Sequence, residues 1–279
     1  MSMPENFIQP PLETLATVRH GPVLHVTLNR PQVRNAMSLA MVTELLRVLA
    51  QAESSGEARV IVLRGAGGHF CAGADLKDMA GARMVAMQQG QRVDAVDPIA
   101  QANLQFGQLC VAYAKSPLAI VAVLEGTVMG GGLGLACVAD VALASQSAVF
   151  RLPETSLGMV PAQIAPFLVE RLGYSQAKRL AVTGGQLTAP QALALGLVHE
   201  VHPPEQIDAA VSAVVAGILK CAPEALAQTK ALMVRARLTP ADQLVPDAAA
   251  VFSRAARSPE GMEGVSAFLQ KHQPSWVPQ

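Results

Sequence analysis

The chain has 279 residues, of which 51% are hydrophobic and only 15% are charged, and its 21 basic residues are balanced by 21 acidic residues. This length can bury a large core, either as one large domain or as a domain with an appendage. Zero formal net charge removes the general electrostatic attraction to nucleic acids and anionic membranes, so we expect neither as a partner.

The four cysteines are far apart, contain no Cys-x-x-Cys pair and have no clustered histidines beside them. The sequence therefore predicts no metal site, and we expect a reduced, cytoplasmic protein. Residues 1–11 have neither the basic region nor the apolar region of a secretion signal. The longest apolar stretches fall well short of the ~20 residues of a membrane-spanning helix, so we expect no span.

Strands and helices alternate in the first half of the chain. Segments 12–20 and 23–29 are rich in Val, Leu and Thr, and they predict a hairpin around Gly21-Pro22. The next predicted elements are a helix capped by Ser38 and ended at 54–56, a strand at 60–63, a helix at 99–114, a strand at 118–124, a buried helix at 133–138 and a strand at 141–144. Residues 81–98 have poor periodicity, which predicts a mobile loop or a poorly ordered helix.

The second half of the chain is predominantly helical. Predicted helices lie at 164–172, 175–182, 190–195, 205–219, 223–237 and 240–257. A strand-helix alternation followed by a run of helices predicts an α/β core with a C-terminal helical extension, and no Pro/Ser-rich linker separates the two.

Two glycine-containing turns, at 71–76 and 129–132, each follow a predicted buried strand and precede a predicted helix. Helix N-termini leave backbone N–H groups unpaired, and small residues let a ligand approach them. Two such turns facing each other could hold an oxygen that becomes negative during a reaction, which is the geometry of an oxyanion hole. The alternative is that both are tight turns with close helix packing. The sequence lacks a phosphate-binding loop, a Gly-x-Ser-x-Gly elbow and a His-Glu-x-x-His site.

Glu154 follows a proline among apolar and small residues. Desolvation in such surroundings disfavours the charged carboxylate, which makes a carboxyl group a usable proton shuttle near neutral pH. The alternative interpretation is an ordinary surface acid at the start of a helix.

In combination, these features resemble the crotonase family, the enoyl-CoA hydratase/isomerase superfamily. The similar motifs extend over almost the whole chain and include Arg30-Pro31-x-x-x-Asn35-Ala36, Phe70-Cys71-Ala72-Gly73-Ala74-Asp75-Leu76, Gly130-Gly131-Gly132, Leu152-Pro153-Glu154-Thr155 and Ala192-Leu193-x-Leu195-Gly196-Leu197-Val198. The resemblance implies an α/β fold with a core of ββα turns wound into a spiral, at 1–200, and a helical trimerisation region, at 201–279. It also implies a homotrimer or a hexamer made of two trimers.

The resemblance further implies an acyl-CoA thioester substrate, with coenzyme A as part of the substrate and no separate cofactor. On the family pattern, the backbone N–H groups of Ala74 and Gly131 hold the thioester oxygen, and Glu154 transfers protons. Further substrate contacts are implied for Val33, Arg34, Ala36, Ala72, Asp75, Leu76, Lys77 and Gly134. For Asp75, a role in fixing its own loop is the alternative.

The chain departs from the family pattern at one position. Typical enoyl-CoA hydratases of the family have a first catalytic glutamate two residues after the glycine triplet, where this chain has Gly134. One carboxyl group must then carry out both proton transfers of a hydration or shuttle one proton in an isomerisation. The missing side chain is also expected to open space near the β-carbon.

Segments 132–137, 152–158 and 161–164 are similar to hydratases of branched glutaconyl-CoA thioesters, namely the 3-methylglutaconyl-CoA and isohexenylglutaconyl-CoA enzymes. This similarity favours hydration of an enoyl-CoA. The alternatives are a Δ3,Δ2-enoyl-CoA isomerase and a non-catalytic protein that binds CoA or RNA. Neutral charge argues against RNA, and the presence of Glu154 argues against an inactive protein.

Some remaining side chains have two interpretations each. Arg83 and Arg92 either contact a substrate carboxylate or CoA phosphate, or are solvated loop charges. Met79, Met129 and Met159 either line an acyl pocket or fill the core. For Glu125, as for His69, we expect a structural role.

Overall fold

The computed structural model describes residues 11–89 and 97–278. Within these residues the chain forms nine strands in two sheets, together with ten α-helices. The strands are β1 (Leu15–His20), β2 (Val23–Leu28), β3 (Val60–Gly65), β4 (Ala119–Leu124), β5 (Thr127–Met129), β6 (Val141–Ser145), β7 (Val149–Arg151), β8 (Gln186–Thr188) and β9 (Glu200–His202). The helices are α1 (Leu39–Ser55), α2 (Leu76–Gln89), α3 (Pro98–Lys115), α4 (Gly131–Val138), α5 (Ala165–Val182), α6 (Ala189–Ala194), α7 (Ile207–Leu219), α8 (Pro223–Ala236), α9 (Ala241–Arg257) and α10 (Pro259–Gln270).

The larger sheet has the strand order β1-β2-β3-β4-β6-β9. Its first pair is the antiparallel hairpin predicted around Gly21-Pro22, and all its other pairs are parallel. All six residues of β4 are buried. A parallel strand with neighbours on both sides and packing layers on both faces needs an apolar residue at every position, which explains the unbroken apolar run of this segment.

The smaller sheet has the order β5-β7-β8 and completes the spiral. Strand β4 of the larger sheet is followed by β5 of the smaller sheet and then by α4, and β6, β7 and α5 repeat this order. Strands β5 and β7 are parallel, as successive turns of a spiral require. The predicted α/β fold with a core of ββα turns is therefore confirmed.

The larger sheet is covered on both faces. Alternate residues of β4 point into two different apolar clusters: Ile120 and Leu124 belong to the main cluster, whereas Val121 and Val123 pack with α7 residues such as Val211. Helix α7 lies beyond residue 200 but covers this sheet, and β9 spans residues 200–202. The division of the chain into 1–200 and 201–279 stays a prediction.

The structure agrees with some of the sequence-based elements and adds others that local patterns did not predict. Residues 76–89 form α2, in keeping with the helix predicted after the first glycine-containing turn, although their apolar and polar residues do not segregate onto separate faces. Within the irregular segment 81–98, residues 90–96 lie outside the described residues. The two helices predicted at 164–172 and 175–182 are both present within α5, where Gly173, at φ 71° and ψ 156°, breaks the helical backbone between them. Helix α10, capped by the Ser258 hydroxyl, was not predicted.

No single helix in the described ranges is both long and apolar enough to cross a membrane. The segments Pro204–Leu219 and Pro223–Ala236 meet the same criteria only when taken together, and they are bent by 99° relative to each other. Residues 11–89 and 97–278 also contain no group of three or more His, Cys, Asp or Glu side chains that could hold a metal ion.

Candidate active site

The first glycine-containing turn is held by backbone hydrogen bonds to two neighbouring segments. Met37 N–H donates to the Gly73 carbonyl at 2.7 Å, and Asp75 N–H donates to the Met37 carbonyl at 3.0 Å. In such a parallel bridge the residue between the two bonded groups turns its own N–H to the opposite side. That residue is Ala74, so its N–H faces away from Met37.

The second turn begins at Gly130, whose φ of 47° and ψ of −117° are readily adopted only by glycine. Its N–H donates to the Arg151 carbonyl at 3.1 Å, and its carbonyl accepts from Gly134 N–H at 3.0 Å. Gly131 is the first residue of α4, where an N–H has no partner within the helix. The chain therefore presents a second backbone donor.

The two turns are in contact and share a cavity. A Cβ atom on Gly73 would lie 3.2 Å from the Met129 carbonyl oxygen, which shows how closely the backbones approach. Ala74 and Gly131 both line a cavity of about 190 Å³. Within the described part of the chain, neither of their N–H groups has a hydrogen-bond acceptor. The arrangement leaves two N–H donors at one cavity.

Glu154 lines the same cavity. It opens a short 3-10 helix, Glu154–Leu157, and its Oε1 lies against Gly130, where a Cβ atom would be 2.8 Å away. Its Oε2 is buried and has no hydrogen-bond partner among the described residues. Burial raises the pKa of this carboxyl group above its ordinary value. The desolvated acid predicted from the sequence is therefore present, and the two donors and the acid surround one space.

Comparison with known proteins identifies the family that has this arrangement. The family model for enoyl-CoA hydratase/isomerase matches residues 19–279. The chain belongs to the enoyl-CoA hydratase/isomerase family. It is thus an enzyme of the crotonase superfamily, as its sequence motifs indicated.

Similar solved structures include an enoyl-CoA hydratase/isomerase from Marinobacter aquaeolei, with 47% identity, a TM-score of 0.89 and coverage of 95% of this chain and 99% of that one. Pseudomonas aeruginosa AtuE has 46% identity and a TM-score of 0.90, with 95% and 100% covered. Among characterised sequences, the 2,3-dehydroadipyl-CoA hydratase of Escherichia coli strain K12 is 32% identical over 273 residues, which are 95% of this chain and 99% of the relative.

The other acids at the cavity of this crotonase-family enzyme already have partners. Arg30 Nη1 lies 2.7 Å from Asp75 Oδ2, and Lys77 N–H donates to Asp75 Oδ1 at 2.9 Å. Burial of Asp75 opposes ionisation, but the hydrogen bonds from Arg30 and Lys77 outweigh it and lower its pKa. Asp78 Oδ2 accepts from Leu39 N–H at 2.8 Å. Asp75 therefore fixes its loop, and among the described residues Glu154 is the lining acid with a buried oxygen that has no hydrogen-bond partner.

The structure corrects the expectation that Gly134 opens space for the substrate. A Cβ atom on Gly134 would overlap the Cγ2 methyl of Ile164 and would lie 3.1 Å from Phe106 Cζ. Gly134 is buried, whereas Ile164 and Phe106 line the cavity in front of it. The space left by the missing glutamate is thus filled by neighbouring side chains, and Gly134 is not itself among the lining residues.

The remaining predicted substrate contacts lie beside the cavity or at its rim. Ala72 N–H donates to the Arg34 carbonyl at 2.9 Å, and Arg30 Nη1 donates to the Ala36 carbonyl at 2.6 Å, so this segment adjoins the first turn. None of the following predicted residues lines the 190 Å³ cavity: Val33, Arg34, Ala36, Ala72, Leu76 and Lys77. Contacts to the CoA part of a substrate at these positions stay predictions.

Sequence reasoning missed one wall of the cavity. Ile99, Asn103 and Phe106 of α3 line it, and so does Gln163, whose Nε2 donates to Asn103 Oδ1 at 2.8 Å. The spacing of 99, 103 and 106 places these residues on one side of a helix. That periodicity was visible in the sequence, but only the tertiary packing of α3 shows which element it faces.

The expected structural roles of Glu125 and His69 are confirmed. Arg64 Nε lies 2.6 Å from Glu125 Oε2, and Thr127 N–H donates to His69 Nδ1 at 3.1 Å. Both side chains are therefore engaged within the fold.

Proposed function

We propose that the enzyme is an enoyl-CoA hydratase that adds water across the 2,3 double bond of an enoyl-CoA thioester. In this proposal the N–H groups of Ala74 and Gly131 hold the thioester oxygen, and Glu154 transfers the protons. The proposal depends on one observation: the buried Oε2 of Glu154 and these two N–H donors, none of which has a hydrogen-bond partner among residues 11–89 and 97–278, lie at the same cavity.

In the proposed reaction, water attacks the β-carbon while Glu154 accepts one of its protons. Negative charge develops on the thioester oxygen, where the Ala74 and Gly131 N–H groups stabilise it more strongly in the transition state than in the substrate. One such donor contributes ~2.7–4 kcal/mol. The same carboxyl group then delivers a proton to the α-carbon, since Asp75 and Asp78 are held by other partners.

A raised pKa suits Glu154 to this double role. Efficient general acid-base catalysis requires a group whose pKa lies close to the working pH. Burial moves the pKa of Glu154 upwards, and thus toward neutrality.

The competing activity is isomerisation of a 3-enoyl-CoA to a 2-enoyl-CoA. It is favoured by the one lining acid that, among the described residues, has a buried oxygen without a partner, because one carboxyl group suffices to move one proton along the acyl chain. Incubation of a 2-enoyl and a 3-enoyl thioester in heavy-oxygen water separates the two activities. Hydration places solvent oxygen on the β-carbon, whereas unlabelled product from the 3-enoyl thioester alone would establish the isomerase.

The finer proposal is that the acyl group is a branched glutaconyl group, such as 3-methylglutaconyl or isohexenylglutaconyl. It is supported by the similarity of segments 152–158 and 161–164 to that group of hydratases and by the mainly apolar wall that the second segment contributes to the cavity. The relative named 2,3-dehydroadipyl-CoA hydratase also indicates a thioester with a second carboxyl group. A panel of thioesters of increasing length and branching tests this, and turnover confined to short linear chains would reject it.

We further propose that the enzyme works as a homotrimer or as a hexamer of two trimers, joined through α8, α9 and α10. Helices α8 and α9 contain no buried residue, and α10 has only Ala267 buried. Large apolar side chains are instead exposed there, among them Phe252 at 75% and Phe268 at 83%. Several large apolar side chains exposed on the same three helices are typical of a subunit contact.

A further inference from the structure

A second cavity, of about 400 Å³ and open to solvent along the exposed side chains of Leu76, Ala80, Arg83 and Leu157, lies beside the first one. It is lined by Leu76, Met79, Ala80, Arg83, Leu157 and Met159. Met79 and Met159 also line the first cavity. These two side chains therefore form the wall between the space around Glu154 and the second space.

Four of the six residues that line the second cavity lie on helix α2. Leu76, Met79, Ala80 and Arg83 follow the i, i+3, i+4, i+7 spacing of one helix face. Leu76 is the last residue of the turn that contains Ala74 and the first residue of α2, and Arg83 lies about 10 Å further along the helix axis at 1.5 Å per residue. The lining thus runs from the oxyanion-hole turn to a cation.

Arg83 is the charged residue of this lining, and the other five residues are apolar. Its side chain is exposed, and it forms no hydrogen bond or ion pair with any residue in the described ranges. A guanidinium group binds a carboxylate through paired, charge-assisted hydrogen bonds. An apolar passage that ends at a free guanidinium group fits an acyl chain that ends in a carboxylate.

Both residues of the wall between the cavities are methionines, and methionine is the most adaptable apolar side chain. Methionine is unbranched and has three rotatable bonds, so it re-packs around ligands of different shape at low cost. Rotation of Met79 and Met159 would join the two cavities without a change in the backbone. The joined space would be large enough for an acyl group that extends well past the α- and β-carbons.

Building on the proposed function, we propose that the second cavity binds the distal part of an enoyl-CoA acyl chain and that Arg83 binds a carboxylate at its end. Met79 and Met159 admit the chain from the first cavity. Arg83 is then a specificity residue that contacts the substrate far from the reacting carbons, and the preferred substrate class is an enoyl-CoA with a second carboxyl group.

The charge test compares two six-carbon 2-enoyl-CoA thioesters, one with a terminal carboxylate and one without. We expect Arg83→Gln to lower kcat/KM for the carboxylate substrate about tenfold, through a higher KM, and to leave the uncharged substrate within about twofold. Arg83→Lys should recover part of the loss because it restores the charge. Lys178→Gln, which removes an exposed cation on α5, is the matched control and should change neither value.

The outcomes separate the two proposals. One outcome is that the wild type hydrates the uncharged thioester, but Arg83→Gln lowers kcat/KM for both thioesters equally or for neither. That outcome would overturn the role of Arg83 and leave the proposed function standing. A wild type that hydrates neither of these thioesters nor any thioester of the panel of increasing length and branching would overturn the proposed function itself.

A chain-length test addresses the second cavity independently of charge. Ala80 is exposed on the lining face of α2, so Ala80→Phe can fill the second cavity without displacing core residues. We expect kcat/KM for uncharged six-carbon and longer thioesters to fall about tenfold, while a four-carbon thioester is unaffected. Equal losses at all lengths in a variant with an unchanged melting temperature would overturn the proposal.

Discussion

The cavity around Glu154 and the C-terminal helices α8 to α10 are each incomplete, but in opposite ways. At the cavity, two backbone N–H groups and one buried carboxylate oxygen have no hydrogen-bond partner in the part of the chain that the structure describes. On the C-terminal helices, apolar side chains such as Phe252 and Phe268 lack a covering layer. Unpartnered polar groups call for a polar ligand, whereas uncovered apolar groups call for a packed surface. The first region is thus suited to a substrate and the second to another copy of the chain.

The largest expected effect is a loss of kcat when the carboxyl group of Glu154 is replaced. Glu154→Gln keeps the shape of the side chain but removes its ability to carry a proton, so we expect kcat for the preferred enoyl-CoA to fall by ~10²–10⁴-fold. The oligomeric state should be unchanged, since Glu154 lines the cavity and does not lie on α8, α9 or α10. Steady-state kinetics with sedimentation of the same sample checks both statements, and near-normal turnover would show that another group transfers the proton.

The next largest effect is expected at the second backbone donor. Gly131→Pro removes the N–H at the first position of α4, where helices accept proline, and should lower kcat by ~10²–10³-fold. Gly131→Ala keeps the N–H, and its Cβ would make an ordinary 3.4 Å contact with Phe106 Cζ, so it serves as the control. Equal activity of the two variants, both with wild-type melting temperatures, would exclude this N–H from the oxyanion hole.

A substitution on the exposed apolar side chains of α8 to α10 should change the oligomeric state rather than the catalytic rate. Phe252→Glu places a charge within the exposed apolar face of α9, and we expect it to shift the protein from trimer or hexamer to monomer. Tyr174→Glu, at an exposed aromatic residue on α5, is the control and should leave the assembly intact. Analytical ultracentrifugation at several concentrations measures the change. If the wild type is itself a monomer, the proposed trimer or hexamer is wrong.

The smallest effect is a pH-dependent change in stability. Because burial raises the pKa of Glu154 in the folded state, the folded protein binds this proton more tightly than the unfolded chain. The resulting stabilisation is present below the ordinary carboxyl pKa and is lost as pH rises through the raised value. We therefore expect Glu154→Gln to melt at a slightly higher temperature than the wild type at pH 7 and at no higher temperature at pH 4. An equal difference at both pH values would contradict it.

Much of the fold follows from local patterns. The Gly21-Pro22 hairpin, the Ser38-capped helix and the continuous apolar strand at 119–124 were predicted because turn chemistry, capping and unbroken hydrophobicity act over a few residues. Short strands such as β8 and β9 were not predicted. Three residues carry too little periodicity, and only their pairing with β7 and β6 makes them strands.

The candidate site also has some features that local patterns predict and others that they do not. The two glycine-containing turns and Glu154 were recognisable, because backbone freedom at Gly130 and a carboxyl group among apolar neighbours are properties of short segments. The occupation of the space at Gly134 by Ile164 was not recognisable, because the two residues lie 30 positions apart and meet only when α4 packs against the start of α5.

The sequence by itself determined the residue types required for an oxyanion hole with an acid, which follow from covalent neighbours and from turn and cap preferences. Its motifs indicated the family, and the ββα order was implied by that resemblance. Only the tertiary structure decided that Ala74, Gly131 and Glu154 line one cavity, that Ile164 fills the position of the missing glutamate and that Met79 and Met159 separate two cavities. Packing between distant segments sets these distances, and no local pattern specifies them.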